Sequence, residues 1–326
     1  MKTLTISIAA YNVSAYLDRC LGSIAQCKAL NDIEVLIEND GSTDNTAEIG
    51  KKYVSQYPDS FTLINKENGG YGSTINHSIE IAEGKYFKQL DGDDWYDPEE
   101  LSQFVNKLKS IDSDYVVSLY TTRYEDSDKK EIVDPCENIK EGTYAFADVV
   151  FTKDIPMHCL CFKTSILKKM KQRLDTHCLY TDVELDIYPA SLAETITITK
   201  NNVYQYMMGR EGQSVNRKSI EKHLDDHKKV MDHVIACYNA MPADRIGQRK
   251  YVQAHLVKQM ELGLRYICMA DKSKENRERL KEFIIDMHTT CPDVYELLLK
   301  SSRFSRIADK GNGLFYSVLR KRAWTD

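Results

Sequence analysis

The chain has 326 residues, of which 42% are hydrophobic, 29% charged and 10% aromatic, with only 7 prolines. That composition excludes wholesale disorder, and the length is about two domains' worth. Lys+Arg 44 against Asp+Glu 49 gives a formal net charge of -5, which excludes a nucleic-acid footprint spread over the whole surface but leaves room for a local basic patch.

Residues 1–20, MKTLTISIAAYNVSAYLDRC, place Lys2 before an apolar stretch. The stretch alternates like a strand and breaks at Tyr11 and Asn12, so no signal peptide is expected. No run approaches the ~18 apolar residues of a spanning helix. Residues 3–10 read as a buried strand, followed by a helix with Leu17, Cys20, Leu21 and Ile24 on one face and Ser14 as its N-cap. The pattern repeats: a strand at 33–38 and a helix capped near Ser42 or Thr43, then a strand at 61–66, a glycine-rich turn ENGGYG and a third helix. A fourth strand, 86–90, ends in DGDDW. Strands alternating with helices predict a parallel sheet with crossover helices.

A helix of about a dozen residues is expected after Pro98, then β-structure around 114–126, a short helix near 181–188, and strands at TITIT and VYQYM. Beyond residue 215 long charged stretches carry helical periodicity, so the domains are drawn as 1–212 and 213–326, the second a helical appendage. The nine cysteines are odd in number, scattered and without a CxxC pair, which favours reduced thiols in a cytoplasmic protein.

In an open parallel sheet, ligands bind beyond the carboxyl ends of the strands. Those ends carry Tyr11-Asn12, Asn39-Asp40-Gly41, Glu67-Asn68-Gly69-Gly70 and Asp91-Gly92-Asp93-Asp94. GxGxxG is absent after the first strand, which disfavours a dinucleotide-binding dehydrogenase. The carboxylates of LDGDDWYDP repel one another unless a cation compensates, and hard oxygen ligands suit Mg²⁺ or Mn²⁺ with a diphosphate filling the remaining positions. The competing reading is a solvated acidic turn.

Taken in order and spacing, AAYNVSAYLDRCLGSI, IENDGSTDNT, ENGGYGSTIN and LDGDDWYDP resemble the nucleotide-sugar-binding domain of glycosyltransferase family 2, closely over residues 3–100 and loosely over 101–212. The resemblance implies an α/β GT-A fold with a mostly parallel central sheet flanked by helices. It also implies inverting transfer from a nucleoside-diphosphate sugar, UDP being the family's commonest donor nucleotide, with Mn²⁺ or Mg²⁺ as cofactor. The acceptor would be a saccharide or a lipid-linked saccharide, as in surface polysaccharide or glycolipid biosynthesis.

Carried over residue by residue, Tyr11 would pack on the nucleobase and Asp40 accept a hydrogen bond from it. Asp91 and Asp93 match the DxD signature, with Asp94 adjacent as a further metal ligand. Ala9, Asn12, Asn68, Gly69, Gly70, Asn76 and Gly92 belong to the motifs that line the donor, and Arg210 and Ser214, in VYQYMMGREGQS, would approach the diphosphate. Asp182, in LYTDVELDIYP, falls at the position of the catalytic base, with Glu184 and Asp186 as neighbouring acids. This sequence departs from the family pattern at Ala9, Asn39, Ile75 and Thr181, where proline, an acid, arginine and glutamate are usual. The rival readings are a non-catalytic nucleotide-sugar binder and a nucleotidyltransferase, the latter lacking its glycine-rich basic first loop.

His158, Cys159, Cys161, His177 and Cys178 match no structural zinc spacing, and Cys159 and Cys161 alternate like strand core. His223 and His227 are expected on a solvated helix face. In residues 303–324, basic residues interleave with Phe304, Leu314, Phe315, Tyr316, Leu319 and Trp324, a pattern that suits peripheral contact with an anionic membrane or, equally, a closing helix with a solvated basic face.

Overall fold

The apolar run after Lys2 forms strand β1 (Leu4–Ala10), nearly all of it buried, in a computed structural model that describes residues 2–125, 127–209, 216–311 and 316–323. Helix α1 (Ser14–Ala25) follows, then β2 (Ile33–Asp40), α2 (Thr46–Gln56), β3 (Phe61–Lys66), α3 (Tyr71–Ile81), β4 (Tyr86–Asp91) and the short β5 (Trp95–Tyr96). The first two caps differ from expectation. Ser14 is already helical, and its N–H donates to Asp44 Oδ2 at 3.0 Å, while Asp44 Oδ1 takes the Thr46 N–H at 3.0 Å. One aspartate on the second loop thus satisfies an orphan donor at two helix starts. In contrast, α4 (Pro98–Leu108) has a local cap, Asp97 accepting from the N–H groups of Glu99 and Glu100 ahead of a proline at N1.

Next come β6 (Tyr115–Tyr124), β7 (Ser127–Val133), β8 (Gly142–Ala145) and β9 (Leu160–Lys163), then α5 (Thr164–Lys169) and α6 (Asp182–Ile187), and finally β10 (Thr195–Met208). TITIT and VYQYM are two parts of this one long strand. The path through the sheet is β3-β2-β1-β4-β9-β6-β10-β5, with β7 on β6 and β8 on β10. Strands β3, β2, β1, β4, β6 and β10 point one way, and β9 and β5 oppose them. Because β1 lies between β2 and β4, Ala9 pairs with both Glu38 and Asp91, which brings the first, second and fourth loops out at one end of the sheet. Leu4, Ile6 and Ile8 pack with Leu17, Leu21 and Ile24 of α1 and with Leu101, Phe104 and Leu108 of α4. Each such side chain contributes about 1.5–3 kcal/mol.

The chain packs as two compact units, one of Met1–Val149 with Ile155–Arg210 and one of Val150–Asp154 with Glu211–Asp326. In the second, α7 (Arg217–Lys222), α8 (Leu224–Ala240), α9 (Ile246–Met269), α10 (Lys274–Thr290), α11 (Pro292–Ser301), α12 (Arg303–Gly311) and α13 (Tyr316–Arg322) follow one another. The long α9 is the spine, burying Tyr251, Leu256, Met260 and Leu264, and Phe151 of the short early segment meets the Tyr251 ring edge-on at 5.1 Å.

Two expectations are corrected here. His227 is buried beside Tyr266 rather than solvated, and burial pushes its pKa down to about 4. Phe304, Tyr316 and Leu319 are core residues, so they are not available to insert into a membrane; Leu314, Phe315 and Trp324 lie outside the described residues. Cys161 is strand core as expected, whereas Cys159, equally buried, ends the 3₁₀ turn before β9, and all nine cysteines are free and buried.

Candidate active site

The first and second loops lock together before any ligand arrives. Asn12 has φ +53°, a conformation that asparagine tolerates better than most residues. Its N–H donates to Ser42 Oγ at 3.0 Å, and its Oδ1 accepts from the Thr43 N–H at 2.8 Å. Asn12 therefore shapes the site with its polar groups, and the neighbouring Tyr11 ring stands out, 53% exposed. Ala9 contributes its carbonyl, which takes the Gly92 N–H at 3.1 Å. A Cβ on Gly92 would sit 2.9 Å from that oxygen, so only glycine fits between the two aspartates of the fourth loop.

The glycine-rich turn is organised from below by Asp40. Its buried carboxylate accepts from Lys66 Nζ at 2.5 Å, from the Gly69 N–H at 2.9 Å and from the Gly70 N–H at 2.8 Å, while Asn68 Nδ2 donates to its backbone carbonyl. The glycines also let another segment approach. His177 N–H donates to the Gly69 carbonyl at 2.8 Å, and a Cβ on Gly72 would lie 2.1 Å from the Asp175 carbonyl oxygen. Asn76 completes the seam, pairing both ends of its amide with the backbone of Leu174 at 2.8 and 3.0 Å. In this structure, then, Asp40 and Asn68 shape the glycine-rich turn, and Gly69, Gly70 and Asn76 meet the segment that leads into α6.

The fourth loop carries the acids. Tyr71 Oη donates to Asp91 Oδ1 at 2.7 Å, and burial raises that phenol's pKa well above its ordinary value, with the charges of Asp91 and Asp182 adding to the effect. Asp94 is fully buried, accepting from Tyr204 Oη at 2.8 Å and from the Met207 N–H at 2.9 Å. Burial above all, then the charges of Asp91 and Asp93, push its carboxyl well up. Outside the loop, Arg19 stacks on Trp95 at 3.9 Å and donates to the Asp93 carbonyl at 2.9 Å.

One ligand atom each of Asp91, Asp94 and His158 lies within 4.8 Å of the others. Asp93 is not in this group. Sequence reasoning considers His158 only for a zinc cage and sets it aside; here the 3₁₀ turn Met157–Cys159 presents it beside the acids. Its ring packs on Tyr204 at 4.7 Å and on Tyr206 at 4.6 Å. Among the described residues its Nδ1 is sealed from water without a hydrogen-bond partner. Burial, helped by the charge on Lys88, pushes its pKa down to about 3, so the imidazole is neutral. Lys88, wholly buried in β4, holds the turn in place by donating to the carbonyls of His158 at 2.8 Å and Leu160 at 3.0 Å. A lysine in the middle of the apolar run YFKQL was the one signal in the sequence of something polar behind the loop. Two carboxyls beside a neutral imidazole whose Nδ1 has no hydrogen-bond partner among the described residues are a donor set that fits a divalent cation.

Asp182 opens α6. Burial raises its pKa against the backbone hydrogen bonds of the helix start. Its charge, like that of Asp91, helps to raise the pKa of the phenols of Tyr71 and Tyr206. Glu184 is spent structurally, accepting from the Asp175 N–H at 2.7 Å and Tyr188 Oη at 2.6 Å. Arg210 and Ser214 lie outside the described residues.

Residues 5–171 match the sequence profile of Glycosyl transferase family 2. The putative glycosyltransferase EpsH of Bacillus subtilis is 33% identical over 131 residues, 40% of this chain and 37% of that protein. The chondroitin synthase of Escherichia coli is 25% identical over 251 residues, 76% of this chain and 34% of the synthase. The chain therefore spans little more than a third of the length of either relative. Among solved structures, S. aureus TarS 1-349 in complex with UDP-GlcNAc superposes with a TM-score of 0.70 at 17% identity, covering 99% of this chain and 91% of that one. A mannosyltransferase from Pyrobaculum calidifontis in complex with GDP-Man and Mn²⁺ gives a TM-score of 0.55 at 14% identity, covering 99% and 87%. With these neighbours the sheet and its flanking helices have the GT-A fold.

Proposed function

Because the chain belongs to glycosyl transferase family 2, we propose that it moves a sugar from a nucleoside-diphosphate sugar to an acceptor hydroxyl with inversion at the anomeric carbon. The observation that carries this reading is the clustering of ligand atoms of Asp91, Asp94 and His158 within 4.8 Å at the carboxyl end of β4, with Tyr71 bonded to Asp91. Asp91, Asp94 and His158 would hold Mn²⁺ or Mg²⁺, which when bound offsets charge developing on the leaving diphosphate. Tyr71 and Tyr204 orient the two carboxylates, Arg19 steadies the loop from behind, and the exposed Tyr11 ring offers a platform for the nucleobase. Asp182 accepts the acceptor's proton as its oxygen attacks, a role typically worth ~10²–10⁴-fold in rate.

UDP is the nucleotide favoured by the TarS complexes, and a growing saccharide or lipid-linked saccharide is the acceptor class favoured by the relatives' names. A cytoplasmic site of action is supported by the nine free, buried thiols. No described helix is long and apolar enough to cross a membrane.

Titration calorimetry of UDP-GlcNAc and GDP-Man in Mn²⁺ and in EDTA tests the donor and metal assignments together. Donor binding should need the metal, and Asp94→Asn or His158→Ala should weaken Mn²⁺ binding, read by electron paramagnetic resonance, by about tenfold or more. Equal donor affinity with and without EDTA would remove the metal from the reading.

A further inference from the structure

The second unit has a groove of about 770 Å³ between the end of α9 and α13, onto which Arg217, Lys272, Arg320, Lys321 and Arg322 open. No aspartate or glutamate lines it among the described residues. Two nearby carboxylates, of Glu221 and Asp271, are already engaged, the first by the Asp271 N–H at 3.0 Å and the second by Asn276 Nδ2 at 2.5 Å. Arg217, Lys272, Lys321 and Arg322 are exposed, while Arg320 is half-buried and fixed by donating Nε to the Cys268 carbonyl at 3.3 Å. In a chain whose formal charge is -5, five cations around one concavity are a local reversal of the overall field.

We propose that this groove binds a flexible polymer carrying phosphate groups along its length. Arginine forks and lysine point charges together suit phosphate oxygens. Several cations in a row reward a ligand with several anions, because each phosphate neutralised releases a counterion. A bilayer is the poorer match on two counts. The site is concave where a membrane is flat, and among the described residues beside it Tyr316 and Leu319 are buried in the core and not available to insert.

The proposal stands apart from the catalytic reading, and its test uses the full-length protein in EDTA without a sugar donor. Fluorescence anisotropy with end-labelled inorganic polyphosphate should show binding that weakens steeply as salt rises, with orthophosphate failing to compete at equal phosphate. The combined variant Arg217→Glu, Lys272→Glu, Lys321→Glu should bind polyphosphate at least about tenfold more weakly. Lys272→Arg, Lys321→Arg should stay within about twofold of wild type, since it keeps the charges. Circular dichroism of both variants should match wild type, as the substituted side chains are exposed.

Undiminished binding by the charge-reversed variant would overturn the proposal. So would binding indifferent to salt. A third arm, co-sedimentation with phosphatidylglycerol vesicles, reassigns the surface to a membrane if wild type binds vesicles, the charge-reversed variant does not, and polyphosphate binds neither.

Discussion

Asp182 starts a helix in a half-buried position, and that environment predicts its titration. A base must be deprotonated to work, and burial raises this pKa above the ordinary 3.8. The acid limb of the pH–kcat profile should therefore lie above the ordinary aspartate value, and an acid limb at or below that value would count against Asp182. Asp182→Asn should abolish transfer, measured as donor turnover, while donor affinity holds. Transfer within a few-fold of wild type would move the role to another acid, with Asp186→Asn as the informative comparison because Glu184 is committed to Asp175 and Tyr188. Asp44 makes the opposite case. Burial opposes its charge, but donors at Thr46 and Ser14 outweigh burial and hold its pKa down to about 2. A depressed carboxylate stabilises the fold fully above its unfolded value and loses that contribution as pH falls through the folded one. Asp44→Ala should cost about 1–2 kcal/mol in urea denaturation at neutral pH, with solvent screening favouring the lower figure, and the gap to wild type should close toward pH 2. A variant equally stable at both pH values would show that the two helix starts do not depend on it.

At the scale of elements, helix α3 and the segment before α6 act as one piece, because Gly72 lets the Asp175 carbonyl come within a distance that any Cβ would occupy. Gly72→Ala should destabilise the protein by about 1–3 kcal/mol through overpacking. It should also lower kcat through displacement of Asp182, with a smaller fall in Mn²⁺ affinity, since the metal candidates lie on other elements and only Asp91 leans on the neighbouring Tyr71. A fall in metal affinity equal to the fall in kcat would contradict that separation. The first four strands and three helices were legible because each follows a clean period and ends in turn residues, and LDGDDWYDP announced itself by uncompensated charge. The helix caps at Ser14 and Thr46 were not, since their acceptor comes from a loop some 30 residues away in one case and two residues away in the other. His158 reads from the sequence only as a rejected zinc ligand, since nothing around MHCLCF has a ligand spacing, and only the pairing of β9 with β4 and β6 carries the imidazole to the acids. The glycines of ENGGYG were legible as a loop, but their closest neighbour, a backbone a hundred residues on, was not.

Across the whole molecule, nine buried free thiols predict that a thiol reagent such as Ellman's will label native protein slowly and reach nine equivalents only in denaturant; rapid native labelling would refute the burial. The sheet has a further consequence in time. Its last strand, β10, is an interior one, seated between β6 and β5, and it supplies both hydroxyl and amide to Asp94. During synthesis from the amino end, β6 is complete at Tyr124 but waits for Met208, several seconds at roughly 5–20 residues per second. Throughout that interval one edge of a buried strand lacks its neighbour, and the acidic loop lacks the partners that set its geometry. Ribosome-bound chains arrested before Thr195 should therefore remain protease-sensitive, and chains with Met208 clear of the exit tunnel should become resistant. The partners that set the geometry of the fourth loop are thus acquired late, although its aspartates are among the first hundred residues made.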